Sequence, residues 1–271
     1  MPGRTSVQRR RLALGAAALL LPPALMVTLG REPAPGLPSP PAARAGTPPP
    51  ATPPRVPVRV MALGDSITGS PGCWRALLWR RLPGVDFVGT RSARRCGFAH
   101  DGRNEGHSGF LATDVAAREL LPDWLSATHP DVVMMHLGTN DVWRNRPVAA
   151  ILTAFTTLVA QMRASNPRMR ILVAQILPMD PAGCGACGRR VAALNAAVPG
   201  WAASLATAGS PITVVDQWSG FDTATDTPDG VHPNRAGDRK IAVRWYPALL
   251  AAVSRPPARP ARTSRPGPPS G

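Results

Sequence analysis

Lysine and acidic residues are scarce in this chain. Only Lys240 is a lysine among its 31 basic residues, and just 16 residues are acidic, which leaves a net charge of +15. Residues 58–251 contain 20 basic and 15 acidic residues, so most of the excess charge lies outside this segment. A nucleic-acid-binding domain concentrates positive charge on its folded surface. We therefore expect no nucleic acid as a partner.

Motifs of several other protein classes are missing. No internal repeat is present, which excludes a repeat architecture. No G-x-S-x-G elbow is present, so Ser108 in "GHSG" lacks the strand–turn–helix context of an α/β-hydrolase nucleophile. The stretch "GCGACG" (183–188) matches G-x-G-x-x-G, but no acidic residue follows about 20 positions later, as a dinucleotide site requires. Its C-x-x-C also has no second pair to complete a zinc site.

The N-terminal region indicates export. Three arginines at 9–11 precede an apolar run over 12–29, which is typical of an export segment. Two prolines interrupt the run, and its length fits both a cleaved signal, which we favour, and an uncleaved membrane anchor. Residues 31–57 hold 11 prolines, a composition typical of an extended linker. We expect residues 1–30 to be the signal or anchor, 31–57 the linker, 58–254 the folded domain and 255–271 a Pro/Arg-rich disordered tail.

Only four cysteines occur. Cysteines of an exported domain are expected to form disulfides, and four cysteines allow three pairings. Sequence spacing favours Cys73 with Cys96 and Cys184 with Cys187. A redox-active C-x-x-C at 184–187 is the alternative, because a thiol before a helix can have a lowered pKa.

Short apolar runs alternate with helical patterns along residues 58–254. Strands that are continuously apolar are buried on both faces, which requires a parallel sheet covered by helices. The pattern therefore predicts an α/β protein, a three-layer α/β/α sandwich with about five parallel strands. The predicted strands are 58–63, 85–89, 131–137, 170–176 and 212–216.

Polar residues follow three of these strands. "GDS" (64–66), "GTND" (138–141) and "DGVH" (229–232) all come after a predicted strand. Since ligands of such sheets bind beyond the carboxyl ends of the strands, we expect the three segments to meet at one edge.

The side chains in these segments suit nucleophilic catalysis. A serine becomes a nucleophile when a histidine removes its proton and a carboxylate orients that histidine. Asp229 lies three residues before His232, at the predicted start of the final helix, so both side chains can point the same way while His232 faces Ser66. An oxyanion needs donors as well. The Ser66 amide, the amide of Gly109 and the Asn140 side chain are the candidates.

Four ordered blocks resemble those of the SGNH, or GDSL-type, hydrolases: "GDS", the glycine of "GHSG", "GTND" and "DGVH". The resemblance covers nearly all of residues 58–251. It implies a flavodoxin-like fold, Ser66 as the nucleophile, Gly109 and Asn140 as oxyanion donors, and Asp229 with His232 as the other triad members.

Three submotifs, "NEGHSGF" (104–110), "GTNDVW" (138–143) and "VDQW" (215–218), are similar to bacterial carbohydrate esterases of the acetylxylan type. This implies a secreted serine esterase that removes short acyl groups, acetyl in particular, from a polysaccharide such as xylan. No metal or cofactor is expected. A lipid esterase and a catalytically silent polysaccharide-binding module are the alternatives. A membrane is a partner only through the possible N-terminal anchor, and the oligomeric state stays open.

Other side chains near these motifs are weaker candidates. His107 is a possible substrate contact, and Trp143 and Trp218 are possible stacking platforms for sugar rings. Asp65 is expected to brace its turn, and His136 is expected to be a core residue with satisfied hydrogen bonds. Asp141 is expected to cap the following helix or to pair with an arginine. Five tryptophans within predicted helices are expected in the core: Trp74, Trp79, Trp124, Trp201 and Trp245.

Overall fold

Five parallel strands form the centre of the sheet, in the spatial order Val85–Val88, Val58–Gly64, Val132–His136, Arg170–Gln175 and Ile212–Asp216. The computed structural model describes residues 57–69 and 71–254. The predicted signal or anchor, residues 31–56 of the predicted linker and the predicted tail lie outside the described residues. The strands are β1 (Val58–Gly64), β2 (Val85–Val88), β3 (Arg91–Ser92), β4 (Arg103–Gly106), β5 (Val132–His136), β6 (Arg170–Gln175) and β7 (Ile212–Asp216).

Helices cover both faces of this sheet. They are α1 (Ser66–Gly69), α2 (Cys73–Trp79), α3 (Ala112–Ala117), α4 (Leu120–Thr128), α5 (Thr139–Trp143), α6 (Val148–Ser165), α7 (Cys187–Leu205), α8 (Thr223–Asp226) and α9 (Arg235–Ser254). α2 packs against α9 on one face, whereas α3, α4 and α7 pack around α6 on the other. The predicted α/β/α sandwich with a flavodoxin-like parallel sheet is therefore confirmed.

The predicted core strands are buried as expected. Every residue of β5 is buried, and β1 is buried from Val60 to Gly64. β7 is the edge strand of the parallel set and is less buried. Burial on both faces explains why the inner strands are continuous apolar runs.

Two short strands were missed. β4 runs parallel to the end of β1, and β3 pairs antiparallel with β4. Their sequences, "RS" and "RNEG", are too short and polar to show a strand pattern. They extend the sheet next to the carboxyl end of β1.

One predicted helix is broken in two. The pattern over 113–125 predicts a single helix, but Glu119 adopts the left-handed conformation (φ 48°) between α3 and α4. Pro122 lacks a backbone N–H and cannot continue a helix from the preceding turn. It is tolerated in the first turn of α4, so the chain starts a new helix there.

α6 is long and apolar enough to cross a membrane by length and composition alone. Its buried residues form one stripe at helical spacing, which faces the core: Ile151, Ala154, Phe155, Leu158, Val159 and Met162. Threonines lie on the opposite, exposed face. This pattern is typical of a surface helix of a globular domain.

α2 and α9 are joined by an aromatic pair and a buried carboxylate. Trp74 stacks on Trp245 with ring centroids 6.2 Å apart, and both rings are buried. The Trp74 backbone N–H donates to Asp238 Oδ1 at 3.1 Å. Burial raises the pKa of Asp238 to about 6, although the bond from Trp74 and the charge of Arg75 oppose the rise.

We expect Asp238→Asn to remove part of the pH dependence of folding stability. A carboxyl whose pKa rises on folding contributes most stability below its unfolded pKa of about 4 and loses it as the pH rises through about 6. Relative to wild type, the variant should gain roughly 1–2 kcal/mol in free energy of unfolding between pH 4 and pH 7.5. Urea denaturation at both pH values measures this.

Asp123→Asn, on the exposed face of α4, is the matched control and should show little change. An Asp238→Asn profile parallel to that of wild type would contradict the assigned ionisation.

Candidate active site

Ser66 lies where β1 ends and opens α1. The flanking glycines allow the chain to pack closely at this turn. A Cβ on Gly64 would lie 2.2 Å from Thr68 Oγ1 and 2.7 Å from the carbonyl oxygen of His136. Gly69 lies directly against Gly106 of β4, where a Cβ on Gly106 would be 2.3 Å from the Gly69 nitrogen. The turn is therefore held tightly.

Ser66, His232 and Asp229 form one hydrogen-bonded chain. Ser66 Oγ lies 2.9 Å from His232 Nε2, and His232 Nδ1 lies 2.7 Å from Asp229 Oδ2. The serine is 166 residues away from the histidine in sequence. About half of the His232 and Asp229 side chains is exposed, 47% and 48%. The three side chains thus have the contacts of a serine hydrolase triad at the protein surface.

A tight loop, rather than a helix, holds Asp229 and His232. The prediction that Asp229 starts the final helix is wrong, because α9 begins at Arg235. Asp229 Oδ1 instead accepts the backbone N–H groups of Val231 and His232 at 3.0 and 2.8 Å. Burial alone would raise the pKa of Asp229, but the hydrogen bonds from His232 and Val231 outweigh it and keep the pKa below its usual value. The carboxylate therefore stays ionised beside the imidazole.

Gly109 lies in a turn that is attached to the end of β1. The His107 N–H donates to the Gly64 carbonyl at 2.9 Å, and the Phe110 N–H donates back to His107 at 3.1 Å. Gly109 has φ +78°, and a Cβ built there would meet no atom within 4 Å. Glycine is therefore favoured here by the left-handed backbone and not by crowding.

Asn140 connects three segments of the site. Its Nδ2 donates to the Phe110 carbonyl at 3.0 Å and reaches Asp65 Oδ2 at 3.5 Å. Asp65 Oδ1 also accepts the Ile67 N–H at 2.9 Å, so it braces the turn as predicted. Complete burial raises the pKa of Asp65 to about 6, although the hydrogen bond from Ile67 opposes the rise. Asp65 thus links the turn of Ser66 to Asn140.

A family model matches most of this fold. The model of the GDSL-like lipase/acylhydrolase family covers residues 62–240, which include every segment described above. The chain belongs to this family. It is therefore a member of a family of ester hydrolases.

Relatives of the GDSL-like chain include two solved structures that are similar over nearly their whole length. A carbohydrate esterase family 3 protein from Talaromyces cellulolyticus is 37% identical, with a TM-score of 0.66, and the match covers 73% of this chain and 98% of that one. A serine-to-alanine mutant of an acetyl esterase, solved with an acetate ion, is 36% identical with the same TM-score and coverage.

Curated relatives are longer proteins. A multidomain esterase of Ruminococcus flavefaciens is 25% identical over 216 residues, which is 69% of this chain and 28% of that protein. The chain spans about half or less of the length of the curated relatives it matches.

Asp141 holds the start of α3, just after the Gly109 loop of the GDSL-like domain. It was expected to cap the following helix or to pair with an arginine, and both expectations are wrong. Its carboxylate is fully buried and accepts the N–H groups of Ala112 and Thr113 at 2.7 and 3.1 Å, together with Thr113 Oγ1 at 2.8 Å. It therefore caps α3, the helix that follows the Gly109 loop.

Glu105 and Arg75 are supporting residues that the sequence analysis did not single out. Glu105 is fully buried and bonds His107 Nε2 at 2.7 Å. It also accepts the N–H and hydroxyl of Thr90. Arg75 is 1% exposed and donates to the carbonyls of Thr68 and Gly69, in the turn that follows Ser66. The sequence carries no signal for this burial, because a single arginine such as Arg75 in "CWRALLW" is expected at the exposed face of a helix.

His107 is engaged within the protein. Its ring stacks on Phe110 and Trp124, with centroids 4.8 and 4.3 Å away, while Nε2 is bound to Glu105. It also lines a cavity of about 320 Å³ together with Ser108 and Phe110. Trp124, expected in the core, is half-buried in this stack. A substrate contact by His107 stays a prediction.

The two candidate stacking tryptophans differ in exposure. Trp143 ends α5 and is 43% exposed. Trp218 is half-buried and lines a separate cavity of about 350 Å³ with Asp216 and Ser219. Contact of either ring with a sugar stays a prediction.

His136 is buried, as expected of a core residue, but its hydrogen bonds are not satisfied. Neither ring nitrogen has a hydrogen-bond partner among the described residues. Burial lowers the pKa of His136 to about 4, so the ring is neutral at neutral pH. Of the other predicted core tryptophans, Trp74 and Trp245 are fully buried, whereas Trp79 and Trp201 are half-buried.

Both disulfides have the pairing that sequence spacing favoured. Cys73 is bonded to Cys96, and Cys184 is bonded to Cys187. The first joins α2 to the loop after β3, and the second lies at the start of α7. With both thiols of the C-x-x-C bonded, the structure gives no support to a redox-active pair.

We expect Asp141→Asn to destabilise the domain more than the loss of one hydrogen bond. The asparagine amide group cannot accept the hydrogen bonds that the second carboxylate oxygen accepts, so a buried N–H of α3 loses its partner. The free energy of unfolding should fall by roughly 2–3 kcal/mol. Urea denaturation measures this.

Thr113→Val is the matched control, because it removes only the hydroxyl donor to Asp141 and should cost about 1 kcal/mol. If Asp141→Asn were no more destabilising than Thr113→Val, the assigned role of Asp141 in capping α3 would be contradicted.

Proposed function

We propose that this protein is an exported serine esterase that removes acetyl groups from a polysaccharide, with xylan as the model substrate. The observation that carries the proposal is the continuous chain from Ser66 Oγ to His232 Nε2 (2.9 Å) and from His232 Nδ1 to Asp229 Oδ2 (2.7 Å). Such a chain activates a hydroxyl that is otherwise a weak nucleophile.

Acylation begins with proton transfer from Ser66 Oγ to His232 Nε2. The serine oxygen attacks the ester carbonyl carbon, and the carbonyl π electrons move to the oxygen, which becomes an oxyanion. His232 is then a cation beside the ionised Asp229, which holds its Nδ1–H. When the tetrahedral intermediate collapses, the bond to the sugar oxygen breaks and His232 returns its proton to that oxygen. The sugar leaves as an alcohol.

Deacylation repeats these steps with water. His232 Nε2 accepts a proton from a water molecule, whose oxygen attacks the acyl carbon of the Ser66 ester. Collapse of the second intermediate breaks the bond to Ser66 Oγ, and His232 protonates that oxygen. The products are acetate and the free serine.

The oxyanion has three candidate donors. The backbone N–H groups of Ser66 and Gly109 make no hydrogen bond within the described part of the chain. Asn140 Nδ2 makes two contacts, to Phe110 at 3.0 Å and to Asp65 at 3.5 Å. We propose that the oxyanion replaces the longer contact, since a hydrogen bond at 3.5 Å contributes little.

The substrate class is supported by the solved relatives, which are named as an acetyl esterase and a carbohydrate esterase. The half-exposed triad also suits a bulky alcohol, because a sugar polymer can approach His232 from solvent. Export is supported by the basic and apolar N-terminal segment and by two disulfides, which persist in oxidising compartments.

We expect Ser66→Ala to lower kcat at least about 10⁴-fold, because the members of a triad act as a unit. Acetate release from acetylated xylan and hydrolysis of 4-nitrophenyl esters of increasing chain length measure this in the purified protein. Activity on short esters and acetylated xylan would support the proposed substrate. Activity confined to long esters would indicate a lipid esterase.

Ser108→Ala is the matched control, since Ser108 is an exposed loop serine next to Gly109 and lacks a contact with His232. It should retain most of the activity. Loss of activity in Ser108→Ala together with retention in Ser66→Ala would contradict the assigned nucleophile.

We expect Asn140→Ala to lower kcat by roughly 10²- to 10³-fold with a smaller change in KM, because an oxyanion donor acts mainly in the transition state. Asn166→Ala is the control for general destabilisation. It also removes a side-chain donor to a carbonyl, but it lies at the amino ends of the strands, away from Ser66. Equal kcat values in the two variants would remove Asn140 from the oxyanion site.

A further inference from the structure

A cavity of about 540 Å³ begins directly after the histidine of the triad. Pro233 and Asn234, the two residues that follow His232, form part of its lining. Cys73 and Cys96 also line it, so the disulfide between them forms one wall. The cavity is distinct from the one beside the Gly109 loop, with which it shares no lining residue.

Three guanidinium side chains without an anionic partner line this cavity, which we call the arginine cavity. Arg95, Arg235 and Arg239 are exposed, and none of their side chains makes a hydrogen bond or an ion pair with another described residue. Arg244, on the same helix as two of them, is by contrast paired with Asp216 at 3.4 Å. The arginine cavity therefore presents positive charge that the described fold does not use.

One carboxylate, Asp238, also lines the arginine cavity. It is only 7% exposed, and its Oδ1 is occupied by the Trp74 N–H. Three exposed cations thus face one buried acid, which leaves the arginine cavity attractive to anions.

Apolar surface accompanies this charge. Leu77, Phe98 and the ring of Pro71 line the same space, and the guanidinium of Arg80 lies 4.5 Å from the centre of the Phe98 ring. Sugar rings present C–H groups that pack on such surfaces, and guanidinium groups bind carboxylates through two parallel hydrogen bonds. The combination fits a sugar that carries a carboxylate.

The chemistry of the triad determines which part of the substrate reaches the arginine cavity. His232 has to protonate the departing sugar oxygen, so the sugar lies on the His232 side of the scissile bond and the acyl group on the other. The arginine cavity starts on that same side, at Pro233. A sugar attached to, or a neighbour of, the acetylated residue is therefore the part of the substrate that reaches it.

We infer that the arginine cavity binds the carboxylate of a uronic acid substituent on the polysaccharide that the triad deacetylates. The inference rests on the proposed function and narrows it, because it makes acidic polysaccharides the preferred substrates over neutral ones. The positive charge on Arg235 and Arg239 attracts the uronate, while the disulfide-linked loop holds Arg95 and Phe98 against α2.

The test compares one polymer in two forms: a glucuronoxylan, and the same polymer with its carboxyl groups reduced to alcohols, both acetylated to the same degree. Wild type should have a KM about 3- to 10-fold lower for the acidic form at low salt, as expected for a few exposed ion pairs. The difference should shrink in about 0.5 M NaCl because salt screens exposed charges.

The double variant Arg235→Gln/Arg239→Gln should lose most of this difference while keeping the kcat/KM for 4-nitrophenyl acetate. Arg118→Gln/Arg168→Gln removes the same charge from exposed sites outside the arginine cavity and should keep the preference. A wild type without preference, or a double variant that keeps it, would overturn the inference.

Binding of the unacetylated polymers, measured by affinity electrophoresis, separates this inference from the proposed function. Stronger retardation of wild type than of the double variant by the acidic polymer supports the arginine cavity even if ester hydrolysis fails. If wild type hydrolyses both acetylated polymers but the acidic polymer retards wild type and the double variant equally, the proposed esterase activity stands and the uronate site is overturned.

Discussion

The buried guanidinium of Arg75 holds the serine turn against the sheet. It donates to backbone carbonyls of two segments, the turn after Ser66 and the start of β4. The acceptors are the carbonyls of Thr68, Gly69, Pro71, Gly102 and Arg103. Burial lowers the pKa of Arg75 to about 10, although Asp101 and Asp238 oppose the shift, so it remains charged at neutral pH. A buried charge with this many carbonyl acceptors is costly to displace. These bonds therefore hold the turn of Ser66 against the start of β4.

Buried carboxylates fix the other loops of the site by the same physics. Asp65 holds the turn of Ser66 and contacts Asn140, Asp141 caps α3 behind the Gly109 loop, and Glu105 holds His107. All three are fully buried, whereas the acid in the candidate triad, Asp229, is about half exposed. These three buried acids are held by directional hydrogen bonds instead of by water. The residues proposed to react can therefore lie at the surface and keep their geometry.

The sequence was most informative where a pattern has one physical meaning. Continuous apolar strands require two covered faces, so the sandwich could be predicted, and ordered polar blocks after the strands indicated which residues meet. Burial of Arg75 and Glu105 could not be predicted, because a charged side chain in a short segment looks the same whether it is solvated or bound to carbonyls. The break between α3 and α4 at Glu119 was not predicted either. It depends on Pro122, but the apolar residues on both sides of this proline continue one helical pattern. The same limit applies to Asp229, whose spacing to His232 fits both a helical turn and the loop that the structure contains.

The side chains on the two sides of the candidate active site differ in chemistry. On the side of Gly109, the rings of His107, Phe110 and Trp124 stack on one another and form an aromatic wall. On the side of His232, the lining is charged and open to solvent, as a polymeric alcohol requires. A lipid substrate would need the reverse, an extended apolar surface for the acyl chain. This difference between the two sides supports the proposal of a small acyl group on a large, acidic carbohydrate.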